Sequence, residues 1–167
     1  ISFEQDTGGK ADFDWSMWGD PKIILSPKTY LTDLPSDKIT APTTNYNGYG
    51  IGSYPLRYSD TESQTFEKSV FNHAATDWWK SGCVYSFDIS DYTAEEQLFS
   101  SYIGLIAERG GNSDGEKKGN AAFLLYADGV LLQRSDFITP DSPLTQMTAV
   151  IPAGTQSIRL EQDAGST

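Results

Sequence analysis

Hydrophobic positions alternate with polar ones in short runs separated by turn residues, and that period of two predicts strands. In "GCVYSFDI", Cys83, Tyr85, Phe87 and Ile89 oppose Val84, Ser86 and Asp88, and in "SSYIGLIAE", Tyr102, Gly104 and Ile106 alternate with Ile103, Leu105 and Ala107. "NAAFLLYAD", "GVLLQRSD", "TQMTAVI" and "SIRLEQD" predict further strands, each closed by Gly, Pro or Asp. Asp128-Gly129 between two apolar runs predicts a two-residue type I′ hairpin, since Gly accepts positive φ and Asp tolerates it. "SDYTAEEQLFSS" reads as one or two helical turns capped by Ser90 or Thr93, too short to organise a core. Many short strands without helical crossovers predict an all-β, antiparallel sandwich or jelly roll, with a closed barrel as the other solution. Residues 40 to 66 and 108 to 119 read as long irregular loops rich in Gly, Asn and Ser, the places where binding residues sit on a rigid sandwich.

The two ends share a phrase. Ile1, Glu4, Gln5, Asp6 and Gly8 of "ISFEQDTG" match Ile158, Glu161, Gln162, Asp163 and Gly165 of "IRLEQDAG", with Phe3 facing Leu160. Such self-similarity at about one domain's spacing marks a repeated unit. It divides the chain into residues 1–24, the closing segment of a preceding repeat or a permuted or donated edge segment, and a sandwich over 25–167.

The 167 residues suffice for one domain with a sizeable core. A net charge of -11 opposes phosphate backbones and anionic lipids, so neither nucleic acid nor membrane insertion is expected. One cysteine, Cys83, excludes an internal disulfide scaffold. No basic, apolar leader pattern precedes Ile1 and no run reaches bilayer length, so a mature, soluble segment is expected.

Enzymatic chemistry finds few parts. His73 is the sole histidine, and there is no nucleophile elbow, no metal-ligating His or Cys spacing and no P-loop. The chain is therefore expected to be non-catalytic, either standing alone or as an ancillary module of a glycoside hydrolase. "FNHAATDWWK" instead gathers His73, Asp77, Trp78 and Trp79. A sugar presents apolar C–H faces fringed by hydroxyls, and its receptor needs an exposed aromatic plate beside planar hydrogen-bonding groups. Trp78, Trp79 and Tyr49 are the candidate plates, while His73, Asp77, Glu108, Arg109 and Asn112 are the candidate hydroxyl readers. The competing reading makes His73 a structural histidine and buries one of the Trp pair. Asp114 and Glu116 offer carboxylate oxygens to calcium, although their spacing is not that of an EF-hand. Asp14, Trp15 and Trp18 read as structural, pinning the sandwich edge.

In order, "TYLTDL", "FEKSVFNHAATDWW", "CVYSFDIS", "YIGLIAERGG", "FLLYADGVLLQRS" and "VIPAGTQSIRLEQDAG" resemble the NPCBM modules, the family fifty-one carbohydrate-binding modules, from about Tyr30 to Thr167. The resemblance implies a jelly-roll module of a bacterial extracellular or cell-surface protein that binds a galactose-type terminal glycan, often with a structural calcium. This chain departs from the pattern ahead of the histidine, where Ser69, Phe71 and Asn72 stand in place of the family's glycine. The family's domains close on an Asp-Trp segment, and "DTGGKADFDWSMWGDPK" near the start has that form. Three arrangements follow: a tandem array, a circular permutation, or a polymer in which residues 1–24 complete another copy by strand addition. The last makes a structural repeat of a surface or filament protein the rival function.

Overall fold

A computed structural model describes residues 15–24, 28–42, 49–58, 62–73, 84–106 and 120–163, including the backbone but not the side chains of Trp15 and His73. Eleven strands form within these residues: β1 (Trp15–Ile24), β2 (Thr29–Tyr30), β3 (Ile39–Thr40), β4 (Tyr49–Arg57), β5 (Ser63–His73), β6 (Tyr85–Asp88), β7 (Gln97–Ile106), β8 (Ala122–Ala127), β9 (Val130–Arg134), β10 (Thr145–Ile151) and β11 (Ser157–Asp163). A six-stranded sheet runs β10-β7-β4-β5-β1-β2, a five-stranded sheet runs β3-β6-β11-β8-β9, and they pack as an antiparallel β-sandwich.

The alternation seen in the sequence becomes the core. Tyr85, Phe87, Ile103, Leu105, Phe123, Leu125, Ile158 and Leu160 point inward from the two sheets. Trp18 is completely buried at their centre and meets Phe123 and Phe99 edge-on, at centroid distances of 5.1 and 6.1 Å. Its strand β1 lies between β5 and β7 of the same chain, so this Trp occupies the middle of a sheet and not the edge where the sequence placed it.

A second, smaller core lies on the other side of the six-stranded sheet. β7 pairs with both β4 and β1, and β4 and β1 both pair with β5, which closes four strands into a ring. Each strand contributes to its filling: Met17 from β1, Leu56 from β4, Phe66 and Phe71 from β5, and Ile106 from β7. Two glycines permit the closure. A Cβ on Gly104 would sit 2.7 Å from the Leu56 side chain, and one on Gly19 would sit 2.8 Å from the Phe66 ring.

Two sequence expectations are corrected. Residues 40 to 66 are not one irregular loop, because β4 and the start of β5 fall inside them. Gly50 interrupts the apolar alternation there: the space beside its Cα is filled by the Phe71 ring and the Tyr54 hydroxyl, and its missing side chain disguises a strand. Nor does the 90–101 stretch turn as an α-helix. The Asp88 carboxylate accepts the Ser90 N–H at 2.9 Å and its hydroxyl at 2.6 Å, holding a single 3₁₀ turn over Ser90–Tyr92, after which Phe99 enters the core from β7. The Asp128-Gly129 turn forms as expected, with φ of 45° and 82°.

Candidate functional site

The register of the strands brings several of their ends together. Tyr49 opens β4 opposite Asn72, while Trp15 opens β1 opposite His73, the last residue of β5. Ser16 lies opposite Leu105, close to the end of β7. In the other sheet, Tyr85 opens β6 opposite Leu160, and Asp163 ends β11 opposite Ala122, which opens β8. The rings of Tyr49 and Tyr85 meet edge-on at 6.1 Å and tie the two sheets together here. The strand ends that bracket residues 43–48, 74–83 and 107–119 therefore share one end of the sandwich.

Aromatic and polar groups line this end. Tyr49 is half-buried against the core, and Tyr85 stacks on Phe87 at 6.1 Å. Burial pushes the Tyr85 hydroxyl well above the ordinary phenol range, with Tyr49 and Tyr54 adding to the shift, so it stays protonated and able to donate. Ser16, Asn72 and Gln162 are all buried. Gln162 follows Ile158 and Leu160 on the core-facing side of β11, and among the described residues neither atom of its amide has a hydrogen-bond partner. On the opposite face of β11, Arg159 lies 3.8 Å over the Tyr126 ring and pairs with Glu161 at 2.5 Å, while Asp163 pairs with Arg134. The buried Glu161 carboxylate thus has a guanidinium partner, as burial of a charge demands.

Of the residues proposed to touch sugar, Tyr49 is the one whose side chain is described, and the backbone of His73 is placed at the end of β5. Asp77, Trp78, Trp79, Glu108, Arg109 and Asn112 lie outside the described residues, as do the calcium candidates Asp114 and Glu116 and the structural candidate Asp14. Trp15 begins β1, with its side chain likewise outside the description. Among the described residues, no group of three or more His, Cys, Asp or Glu could hold a metal ion, and no helix is long and apolar enough to cross a membrane. A polar cleft on the flank between β9 and β10, lined by Ile103 and by residues from 133 to 138 and from 142 to 148, has no counterpart among the residues singled out in the sequence.

No protein-family model matches the chain, and no curated protein matches it by sequence. Solved structures do. The CBM51-2 and INT domains of Clostridium perfringens ZmpB superpose with a TM-score of 0.60 at 18% identity, over 81% of this chain and 27% of that one. The same ZmpB domains with CBM51-2 in complex with GlcNAc give 0.59 at 18% identity over the same shares. The CBM51 from Clostridium perfringens GH95 in complex with methyl-galactose gives 0.59 at 15% identity, over 82% of this chain and 87% of that one. This chain spans about a quarter of the ZmpB chains and most of the GH95 module. At such identities the likeness is one of fold: the chain has an antiparallel β-sandwich built like those of the CBM51 modules.

Proposed function

We propose that the chain is a non-catalytic carbohydrate-binding module of a bacterial extracellular or cell-surface protein, taking a galactose-type terminal glycan at the end of the sandwich that its candidate loops bracket. The observation that carries this reading is the superposition on CBM51 modules, one of them in complex with methyl-galactose and one with GlcNAc. The strand register supports it, because the strand ends that bracket residues 43–48, 74–83 and 107–119 meet at one end of the sandwich; on this reading Trp78 or Trp79 stacks on a pyranose face while His73, Asp77, Glu108, Arg109 and Asn112 read its hydroxyls. A shallow aromatic site of this kind binds weakly and depends on its plate. In a glycan array followed by calorimetry, the wild-type chain should bind terminal galactose, and a folded Trp78→Ala, Trp79→Ala double mutant should lose binding. Unchanged binding by the double mutant would overturn the site, and no glycan signal from the wild type would overturn the function. Calcium belongs to the same proposal through Asp114 and Glu116, and chelation should then lower the thermal midpoint.

The second reading, a structural repeat exchanging residues 1–24 between copies, draws on the duplicated terminal phrase and on β1 being an interior strand whose removal would expose both β5 and β7. Sedimentation decides between them: a monomer at all concentrations removes the exchange model.

A further inference from the structure

We propose that the cleft between β9 and β10 is a second saccharide-binding site, separate from the loop-bearing end and suited to a neutral pyranose. The cleft lies on the flank of the sandwich where an outer strand of each sheet meets, joined by residues 135–144, and encloses about 490 Å³. That falls within the roughly 300–1,000 Å³ usual for small-ligand sites. Phe137 lies in its wall with 42% of its surface exposed, an aromatic plate that the core does not use. The Arg134 guanidinium sits 5.6 Å over that ring and pairs with Asp163, so both the plate and the cation beside it are held.

The polar lining is held as well. The Gln146 side-chain amide donates to Ser100 Oγ at 2.9 Å, which fixes the amide plane on the cleft wall. Ser135 Oγ accepts the Phe123 N–H at 2.9 Å and donates to the Asp136 carbonyl at 2.6 Å, pinning the segment that carries Phe137. Ser142 Oγ accepts the Thr139 N–H at 2.9 Å and shapes the turn leading into β10. Groups already ordered lose little entropy when a ligand arrives, which is what a weak hydroxyl-rich ligand requires.

The chemistry selects the ligand class. Gln133, Gln146 and Thr148 both donate and accept, Arg134 donates and Asp136 accepts, so hydroxyls of either orientation find partners around one apolar plate. The open cleft leaves too little enclosed surface for an apolar ligand, and the net charge of -11 disfavours an anionic one. Two sites on one module would make attachment to a branched glycan or a surface bivalent, raising avidity without tightening either site.

The test is a residue-resolved NMR titration of the full chain with methyl-galactoside, N-acetylglucosamine and lactose. At least one should shift resonances from Gln133 to Thr148, and should do so equally in the Trp78→Ala, Trp79→Ala double mutant, which separates this cleft from the loop-end site. Phe137→Ala should weaken the cleft response about tenfold, the loss of one stacked ring, while Phe137→Tyr retains it. Because Phe137 is exposed, both variants should keep the wild-type spectrum outside the cleft. No shift in this stretch with any of the three sugars, or shifts unaltered by Phe137→Ala, would overturn the proposal whatever happens at the loop end.

Discussion

Asp128 does two jobs that a mutation can separate. It supplies a residue at positive φ, 45°, for the hairpin between β8 and β9, and its carboxylate reaches across to the start of β11. There it accepts the Gln156 N–H at 3.0 Å, the Ser157 N–H at 2.8 Å and the Ser157 hydroxyl at 3.1 Å. Bonds to a charged acceptor contribute about 1.5–3 kcal/mol when buried. Asp128 is exposed, water replaces much of what is lost, and about 1 kcal/mol for the set is the discounted figure. Alanine also lacks the short polar side chain that eases positive φ for Asp, a further cost of about 1 kcal/mol. Asp128→Ala should therefore lose about 2 kcal/mol, or about 4–8 °C in Tm for a domain of this size, and Asp128→Asn, which tolerates the φ, about half as much. Desolvation raises the carboxyl pKa, but the N–H groups of Gln156 and Ser157 together outweigh it and hold the group below its ordinary range. A depressed folded-state pKa stabilises above the unfolded value, near 3.9, and that contribution is lost as pH falls through the folded value. The gap between wild type and Asp128→Asn should thus narrow from about pH 5 to about pH 3. Urea unfolding at both pH values measures it. A loss below about 0.5 kcal/mol for Asp128→Ala, or a gap indifferent to pH, would show that the Asp128 carboxylate does not hold the start of β11.

Two further substitutions probe the interior by chemical denaturation. Gly104→Ala forces a methyl against Leu56 inside the closed ring and should cost about 1–3 kcal/mol, with part of the loss recovered when Leu56→Ala is added. Gln162→Met replaces a fully buried amide that has no hydrogen-bond partner among the described residues by an apolar chain of similar size and should stabilise by about 1–3 kcal/mol; destabilisation would mean that the amide is satisfied by bound water.

Much of the sandwich was legible because its inner faces obey a strict period of two. Tyr85, Phe87 and Ile89 are buried as their alternation requires, and β8, β9, β10 and β11 fall on the segments that apolar runs and turn residues marked out. β4 was hidden by the opposite circumstance. Gly50 and Gly52 sit where an alternating strand would show side chains, since aromatic rings from Phe71 and Tyr54 already cover those positions. At β1, Gly19, Asp20 and Pro21 form the irregularity between Gly19 and Lys22 that lets one strand continue past it, with Asp20 at φ 53°. Glycine and proline reported local conformation correctly in both places, but only packing decides whether that conformation ends a strand or bends it.

The same distinction governs function. Reasoning from contiguous residues favours a stretch such as "FNHAATDWWK", where plate and hydrogen-bonding groups stand side by side, and it could nominate the loop-end residues for that reason. It could not find the flank cleft, whose wall takes Gln133 and Arg134 from one sheet's edge, Ser135 to Phe137 from the connection that follows, and Gln146 and Thr148 from the other sheet's edge. In neither segment alone does the pattern differ from an ordinary solvated strand end, because each carries half of the chemistry. The plate, Phe137, reads as an unremarkable apolar residue in a polar turn until Arg134 is seen over its ring and Gln146 is seen anchored to Ser100 on a different strand. A site assembled across two sheet edges becomes visible only when the sandwich brings those edges together, and this is why the two saccharide sites proposed for one module were open to such unequal means of discovery.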